Sequence, residues 1–423
     1  MKCCFSLRVR LVFAALLGSY LSAPAGGDDG ERKLTEAQRQ VVAESSAWGA
    51  ITTLKDGSLG LVYQRAQPLS DVDACNVSMQ WIRSTDGGQT WSDPVLISER
   101  LGPNGSLHAP RPEGGYIVFQ QRNEALGQLP SGRIVCAFCE LNYHYDRDGK
   151  TVNNPDQDFN HQNQGVAYTW SDDLGKTWIP TRRMDSGPVG GPGGGIAPQW
   201  RIVTLPDGTA LMSLYGSFNK DYRGPVQVPA GTGKLAAVAR STDNGETWGD
   251  HSVIFSDASA GLHQLFEETA LCLVGDKLLA HMRRPQSDVV QFESGDGGRS
   301  WQGPTPLTQP DQHPGGAFVL QSGNLLATWG NRRPPYGAAA MLSTDRGATW
   351  NYEHRVSLAW DSPYIECGYA NGTQAGDGAI VVTYYDFQPS KDYRGKWTGS
   401  KVYVVRFTEE QFKQAADLPD PAK

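Results

Sequence analysis

Positive charge is the first thing that the sequence lacks. Its 38 lysines and arginines are outnumbered by 45 aspartates and glutamates, which gives a formal net charge of -7 at pH 7. Proteins that bind nucleic acid need a basic surface that displaces counterions, and no basic stripe occurs here. Charged residues of both signs make up only 20% of the chain, and no heptad pattern runs through it. The composition therefore argues against a nucleic-acid partner and against a coiled coil.

Long apolar runs are also missing, apart from one near the N terminus. Residues 11–21 are mostly apolar, follow a positively charged start and are too few to span a bilayer comfortably. A small-x-small motif at residues 23–25 completes the pattern of a secretory signal peptide. We therefore expect residues 1–25 to be removed on export. Residues 26–423 would then form a single mature domain without a membrane span, either secreted or periplasmic.

Cysteine is scarce as well. Two of the seven cysteines lie in the predicted signal peptide, and the five others are an odd number that cannot all pair. This argues against a disulfide-based scaffold. Cys136 and Cys139 have the spacing of a redox or metal motif, but in a strand an offset of three residues points the two thiols to opposite faces. We expect these cysteines to be buried and unpaired.

Glycine, proline and aromatic residues are abundant. The chain has 49 glycines, 26 prolines and 12 tryptophans, and aromatic residues make up 10% of it. Glycine and proline together exceed their usual share of roughly 12%. An aromatic-rich chain of low net charge is not disordered. The composition is typical of a large, loop-rich, all-β protein.

An eight-residue motif, Ser-x-Asp-x-Gly-x-Thr/Ser-Trp, occurs five times. It starts at Ser84, Ser171, Ser241, Ser294 and Ser343. Aspartate and glycine at these positions predict a tight hairpin, because the carboxylate can accept backbone N–H groups and glycine tolerates positive φ. The last two copies lie 49 residues apart. A period near 50 residues is the size of a four-stranded propeller blade.

A second pattern, an apolar strand followed by a glycine turn and another apolar strand, occurs six times. The copies cover residues 50–63, 125–138, 201–215, 270–282, 317–329 and 372–385. Six copies predict a six-bladed β-propeller, with the eight-residue motif absent from the last blade. We also expect short helices over residues 35–43 and 409–416.

Aligning the six copies on their glycine turns places one residue of each innermost strand at the same end of the propeller axis. These residues are Gly49, Glu124, Trp200, Glu268, Gly315 and Tyr369. A glutamate and a tyrosine that converge on a concave mouth, with Arg283 on the returning strand beside Glu268, predict a ligand site there.

The repeated hairpins on six predicted blades resemble the sialidase superfamily, also called the BNR-repeat family. The resemblance covers essentially all of residues 26–423. It implies a secreted exo-glycosidase that removes a terminal acidic sugar from a glycan or oligosaccharide, without a cofactor or a metal. The superfamily also contains glycosidases and lyases for other polysaccharides, and glycan-binding propellers without catalysis. All three functions stay open at this point.

The resemblance implies an unusual nucleophile. The sugar of a sialoside carries a carboxylate that repels a carboxylate nucleophile, so a tyrosine activated by a glutamate attacks instead. The implied nucleophile is Tyr369 and the implied base is Glu268. Glu267 is expected to face the other side of its strand.

The resemblance also implies three arginines that hold the sugar carboxylate and an aspartate that acts as general acid and base. Arg283 matches one clamp, and Arg332 matches a second better than Arg333 does. The first strand carries Trp48 where the superfamily has its first arginine. Among residues near that strand, Arg65 could take its place, and Asp71 and Asp73 are both candidates for the acid/base.

The insertion over residues 140–165 is rich in potential metal ligands. They are His144, Asp146, Asp158 and His161. Their spacing fits no metal site, so we interpret the insertion as a loop that shapes substrate choice.

Overall fold

The computed structural model describes residues 32–152, 161–191, 194–228, 232–257, 267–284, 287–387 and 399–418. These residues all belong to the second of two compact units, Arg32–Lys423. The predicted signal peptide, residues 1–25, lies outside them. In the described part of the chain, no helix is long and apolar enough to cross a membrane.

The described residues form 25 strands, one α-helix and two 3-10 turns, which confirms the prediction of an all-β protein. The helix, α1, is Glu409–Ala415. In chain order the strands are β1 (Gln38–Glu44), β2 (Ser46–Thr53), β3 (Leu59–Pro68), β4 (Cys75–Ser84), β5 (Val95–Ser98), β6 (His108–Pro110), β7 (Tyr116–Gln128), β8 (Ile134–Tyr145), β9 (His161–Ser171), β10 (Arg182–Arg183), β11 (Ile196–Thr204), β12 (Ala210–Ser217), β13 (Lys234–Ser241), β14 (Gly249–Asp257), β15 (Glu267–Val274), β16 (Lys277–Arg283), β17 (Val289–Ser294), β18 (Gln302–Pro306), β19 (Gln312–Val319), β20 (Leu325–Asn331), β21 (Gly337–Ser343), β22 (Val356–Ala359), β23 (Cys367–Gln374), β24 (Ile380–Asp386) and β25 (Lys401–Phe407).

The strands pair in antiparallel runs of four. β15–β18 and β19–β22 are separate four-stranded sheets, and β23, β24, β25 and β1 form another. The remaining 13 strands form one sheet in which β2–β5, β7–β10 and β11–β14 are three further runs. Short parallel pairings join these three runs, Val77 with Gln120 and Trp200 with Ala125.

The first strand of each run is called its leading strand here. The leading strands are β2, β7, β11, β15, β19 and β23. Each packs against the leading strand of the next run, and β23 packs against β2. Residues on the leading strands are therefore brought together although they are far apart in the sequence.

The predicted helix over residues 35–43 is wrong, because Gln38–Glu44 is strand β1. It pairs antiparallel with β25 at the other end of the chain. The local sequence is compatible with a helix or a strand. The strand forms because it pairs with the edge of β25, whose backbone N–H and C=O groups would otherwise be unpaired. The predicted C-terminal helix is confirmed as α1, with Thr408 as its N-cap.

The eight-residue motifs form the hairpin contacts expected from their sequence. In the first copy, Asp86 accepts the backbone N–H groups of Gln89 and Thr90 at 3.1 and 2.9 Å, and the Ser84 hydroxyl accepts that of Gly88. Hydrogen bonds from Thr90 hold the pKa of Asp86 at about 2. The five cysteines of the described chain are buried, and none of them forms a disulfide.

A buried carboxyl connects the first two runs. Glu124 on β7 is 1% exposed and accepts a hydrogen bond of 2.6 Å from Gln64 on β3. Burial raises its pKa to about 7, against a smaller opposing effect of the bond from Gln64. The unfolded chain ionises this carboxyl near its ordinary pKa of 4.5. The contribution of Glu124 to the free energy of unfolding therefore falls as the pH rises from 4.5 to 7.

We predict that Glu124→Gln becomes more stable relative to the wild type as the pH rises, by up to about 3 kcal/mol at pH 8. The reason is that glutamine carries no charge to be buried. Urea unfolding at pH 5 and pH 8 measures the difference. Glu113→Gln, at a side chain that is 71% exposed, is the matched control and should show no such trend. A stability difference for Glu124→Gln that is equal at both pH values would contradict the prediction.

Candidate functional site

Each leading strand is interrupted by a bulge. The register shifts fall at Ala47/Gly49, Arg122/Glu124, Pro198/Ile202, Glu267/Ala270, Gln312/Gly315 and Gly368/Asn371. In five of the six, a residue other than glycine has positive φ: Trp48, Asn123, Trp200, Glu268 and Tyr369. Such a conformation costs a bulky residue about 1–3 kcal/mol and is concentrated at functional sites. The bulges re-aim these side chains.

A cavity of about 320 Å³ is lined by residues from four of these bulges. Its walls include Tyr369 and Glu268 from two leading strands, and Arg283 from β16. The sequence predicted that these three side chains converge, and the structure brings them to one cavity.

The centre of the site is a hydrogen bond in which the Tyr369 hydroxyl donates to Oε1 of Glu268. The two side chains are 8% and 4% exposed, and 101 residues separate them in the sequence. Nη1 of Arg283 lies 3.3 Å from the other carboxylate oxygen of Glu268. Burial, followed by the charge of Glu268, raises the pKa of Tyr369 well above its ordinary value. The phenol of Tyr369 therefore keeps its proton. That proton points at the carboxylate of Glu268, which can accept it.

Aromatic side chains fix the ring of Tyr369. Trp48 and Trp200 contact it edge-on, with ring centroids at 5.7 and 6.3 Å, and Tyr385 lies at 5.5 Å. The guanidinium carbon of Arg332 lies 5.5 Å from the same ring centroid. The hydroxyl is consequently held in one direction.

The two neighbouring arginines after β20 have different surroundings. Arg332 lies 3.4 Å from Glu366 and 3.3 Å from the hydroxyl of Tyr385, next to Tyr369. Arg333 instead donates to the side chain of Gln309 and to the carbonyl of Pro310. Of the two candidates from the sequence, Arg332 is the one beside the tyrosine.

The expectation that Glu267 faces away from the site is wrong, because Glu267 and Glu268 line the same cavity. Glu268 has φ 53°, and the bulge there breaks the strict alternation of an extended strand. Burial, followed by the charge of Glu268, raises the pKa of Glu267 above its ordinary value, against the opposing charges of Arg283 and Lys234. In its protonated form such a carboxyl can donate a hydrogen bond.

Arg122 is a further cavity residue that the sequence did not single out. Its guanidinium carbon lies 5.6 Å from the ring centroid of Trp48 and 5.0 Å from that of Tyr143. Its Nε donates to the side chain of Gln120 at 2.9 Å. Arg122 precedes the bulge at Asn123, so a regular alternation assigns it to the wrong face. Its proximity in sequence to Glu124 was the only available signal.

Lys234 also lines the cavity and was not singled out. It is 5% exposed and donates to the hydroxyl of Ser217 at 3.2 Å. With Arg122 and Arg283 it gives the cavity three cationic side chains, next to the carboxyl groups of Glu267 and Glu268. This arrangement suits an anionic ligand of moderate size.

Three candidates from the first run are not among the residues that line this cavity. Arg65 is exposed on β3, where its neighbours in register are Ser46 and Ser78. Asp71 lies on the loop between β3 and β4, with its carboxylate 2.9 Å from Nε2 of His108. Asp73 lies on the same loop and is exposed.

Among the described residues, no group of three or more His, Cys, Asp or Glu side chains is arranged to hold a metal ion. Of the potential ligands in the 140–165 insertion, His144 lies on β8 and Asp146 directly after it. Asp158 and the side chain of His161 lie outside the described residues.

The sequence matches the family described as BNR repeat-like domain over residues 121–382. Residues 82–93, around the first eight-residue motif, match the BNR/Asp-box repeat. A search of curated proteins finds no match.

Solved structures share the fold at low sequence identity. A protein of unknown function from Dyadobacter fermentans is 20% identical with a TM-score of 0.64, and the match covers 87% of this chain and 97% of that one. The Hadza microbial sialidase Hz136 is 18% identical with a TM-score of 0.60, covering 86% and 66%. The intramolecular trans-sialidase from Ruminococcus gnavus, solved with oseltamivir carboxylate, is 12% identical with a TM-score of 0.60, covering 89% and 98%.

The family match extends over more than half of the chain and the structural matches over most of it. On the evidence of the family match the chain belongs to the BNR repeat-like domain family, and its fold is that of the sialidase structures.

Proposed function

We propose that this protein is an exported exo-glycosidase that removes a terminal acidic sugar of the sialic acid type with retention of configuration. The observation that carries the proposal is the hydrogen bond from Tyr369 to Glu268 at the wall of a cationic cavity. A glycan-binding protein without catalysis has no need for a buried tyrosine and glutamate that share a proton. The proposed export rests on the signal-like residues 1–25.

In the proposed reaction the Tyr369 oxygen attacks the anomeric carbon while its proton passes to Oε1 of Glu268. The bond to the leaving group breaks, and an aspartic acid of the loop between β3 and β4 protonates the departing oxygen. Water then attacks the anomeric carbon, and the same aspartate takes a proton from that water. The bond from the carbon to the Tyr369 oxygen breaks, and the phenol recovers its proton from Glu268. Two displacements at one carbon retain the configuration.

The charge of the cavity supports an acidic substrate. Arg122 and Arg283 present guanidinium groups, which suit a carboxylate better than an ammonium group does. A negatively charged sugar also explains why a neutral phenol is preferable to a carboxylate as the nucleophile. Arg332, packed on the ring of Tyr369, adds positive charge next to the proposed nucleophile.

We propose further that the six runs of strands are the blades of one closed propeller. The support is that the leading strands pack in order with β23 against β2, and that β1 from the start of the chain pairs with β25 from its end. A crystal structure of the mature protein tests this arrangement. Six sheets around one axis are expected, and a gap between two runs or a seventh sheet would contradict it.

The catalytic proposal predicts that Tyr369→Phe and Glu268→Gln abolish most hydrolysis of a fluorogenic sialoside. Glu268→Gln removes the base and should lower kcat by about 10²–10⁴-fold, and Tyr369→Phe removes the nucleophile and should lower it at least as much. Steady-state kinetics with 4-methylumbelliferyl sialoside measures both effects.

The matched control is Tyr384→Phe, because Tyr384 is the neighbour of Tyr385 on β24 but stacks on Tyr403, outside the cavity. It should retain wild-type turnover. Absence of turnover by the wild-type protein, or full turnover by Tyr369→Phe, would refute the proposed activity. In the first case a panel of other acidic polysaccharides, with product analysis, identifies the alternative substrate.

The role of Arg122 is tested separately. Arg122→Gln should raise KM for the sialoside by about 10–100-fold, since a charge-assisted hydrogen bond contributes about 1.5–3 kcal/mol. Arg182→Gln is the control, because Arg182 also stacks on a tryptophan, Trp170, but does not line the cavity. An unchanged KM for Arg122→Gln, or an equal rise for both variants, would show that Arg122 does not bind the sugar.

A further inference from the structure

The loop between β3 and β4 makes a polar contact with β6, the short strand that pairs with β7. Asp71 on this loop places its carboxylate 2.9 Å from Nε2 of His108 on β6. The Asp71 side chain is 64% exposed, so burial does not fix it. The contact with His108 therefore decides the direction in which the carboxyl group points.

His108 is in turn firmly held. It stands in register with Val118, because β6 pairs with the start of β7. Its ring lies edge-on to Tyr116 at 6.3 Å, and Tyr116 stacks on Tyr145 at 4.8 Å. Tyr145 is fully buried. The imidazole is thus anchored through two aromatic rings to the core.

The same loop packs on a hydrophobic cluster that extends to the cavity. Leu69 and Val72, on either side of Asp71, pack against a hydrophobic cluster that contains Leu141 and Tyr143. Leu141 and Tyr143 also line the cavity that holds Tyr369. The backbone of the loop is a closed turn, in which the N–H of Leu69 donates to the carbonyl of Ala74 at 3.0 Å.

We infer that His108 is a positioning residue that holds Asp71 at the rim of the cavity as the proton donor to the leaving group. The inference rests on the proposed function, and it selects Asp71 over Asp73. The proton of the Asp71 carboxylic acid goes to the glycosidic oxygen as the bond from that oxygen to the anomeric carbon breaks, and Asp71 is left as the carboxylate. In the second step Asp71 takes a proton from the attacking water. His108 donates a hydrogen bond throughout and exchanges no proton with the substrate.

The test compares two sialosides with the same sugar and different leaving groups. Lactose is a poor leaving group that needs protonation, and 4-methylumbelliferone is an acidic phenol that needs it little. His108→Ala should lower kcat for sialyllactose about tenfold more than kcat for the methylumbelliferyl sialoside, and Asp71→Asn should show the same pattern more strongly. His108→Gln, whose amide can still donate to Asp71, should recover part of the loss. Asp73→Asn is the matched control and should affect both substrates equally.

Each contrary result has its own meaning. If His108→Ala lowers kcat equally for both substrates, His108 has a structural role only. This result overturns the inference, while the proposed activity stands. A selective loss for Asp73→Asn, without one for Asp71→Asn, assigns the acid to Asp73 and also overturns it. A wild-type protein that cleaves neither substrate overturns the proposed function and the inference together.

Discussion

The hydrogen bond between Tyr369 and Glu268 is the interaction on which the site depends. Its two partners come from different sheets, and each stands on a leading strand at a bulge where φ is positive. An extended, regular strand would direct these side chains along its alternating faces and would not let them meet in this way. The energetic cost of left-handed backbone at bulky residues is accepted there because packing of the leading strands against one another fixes the bulges.

The electrostatics of the cavity follow from that pair. The buried phenol of Tyr369 donates a hydrogen bond to the buried carboxylate of Glu268, Arg283 lies 3.3 Å from that carboxylate, and Arg332 packs on the phenol ring. Glu267 adds a second carboxyl, whose pKa is raised by burial and by Glu268. In the proposed function, the carboxylate of an incoming sugar adds negative charge to a cavity with three cationic side chains, and the phenol loses its proton only as it attacks.

Repeats made most of the fold predictable. The eight-residue motif and the strand–turn–strand pattern are local, and hairpins of this kind depend on residues within the motif, such as Asp86 and Gly88. The same alignment found Glu268 and Tyr369, since equivalent positions of repeated units occupy equivalent places. The helix expected over residues 35–43 failed because β1 is decided by its pairing with β25, and that contact is invisible in the local sequence.

The site was less predictable because bulges interrupt the alternation of side chains between the two faces of a strand. Glu267 and Arg122 were assigned to the wrong face or overlooked, and in both cases a left-handed neighbour, Glu268 or Asn123, is the reason. The contact of Asp71 with His108 could not be predicted either, because it joins a loop to a short strand that has no repeat relation to it. The equivalent positions of the repeats could be predicted from the sequence. The directions of the side chains next to each bulge could not.

The central claim is that Tyr369 forms the bond to the sugar. A sialosyl fluoride that carries a second fluorine beside the anomeric carbon tests it most directly, because fluoride leaves readily while the second fluorine slows hydrolysis of the covalent product. The mature protein is incubated with this reagent, digested and analysed by mass spectrometry. The account predicts a sugar adduct on the peptide that contains Tyr369, lost in Tyr369→Phe. An adduct on another residue would contradict it.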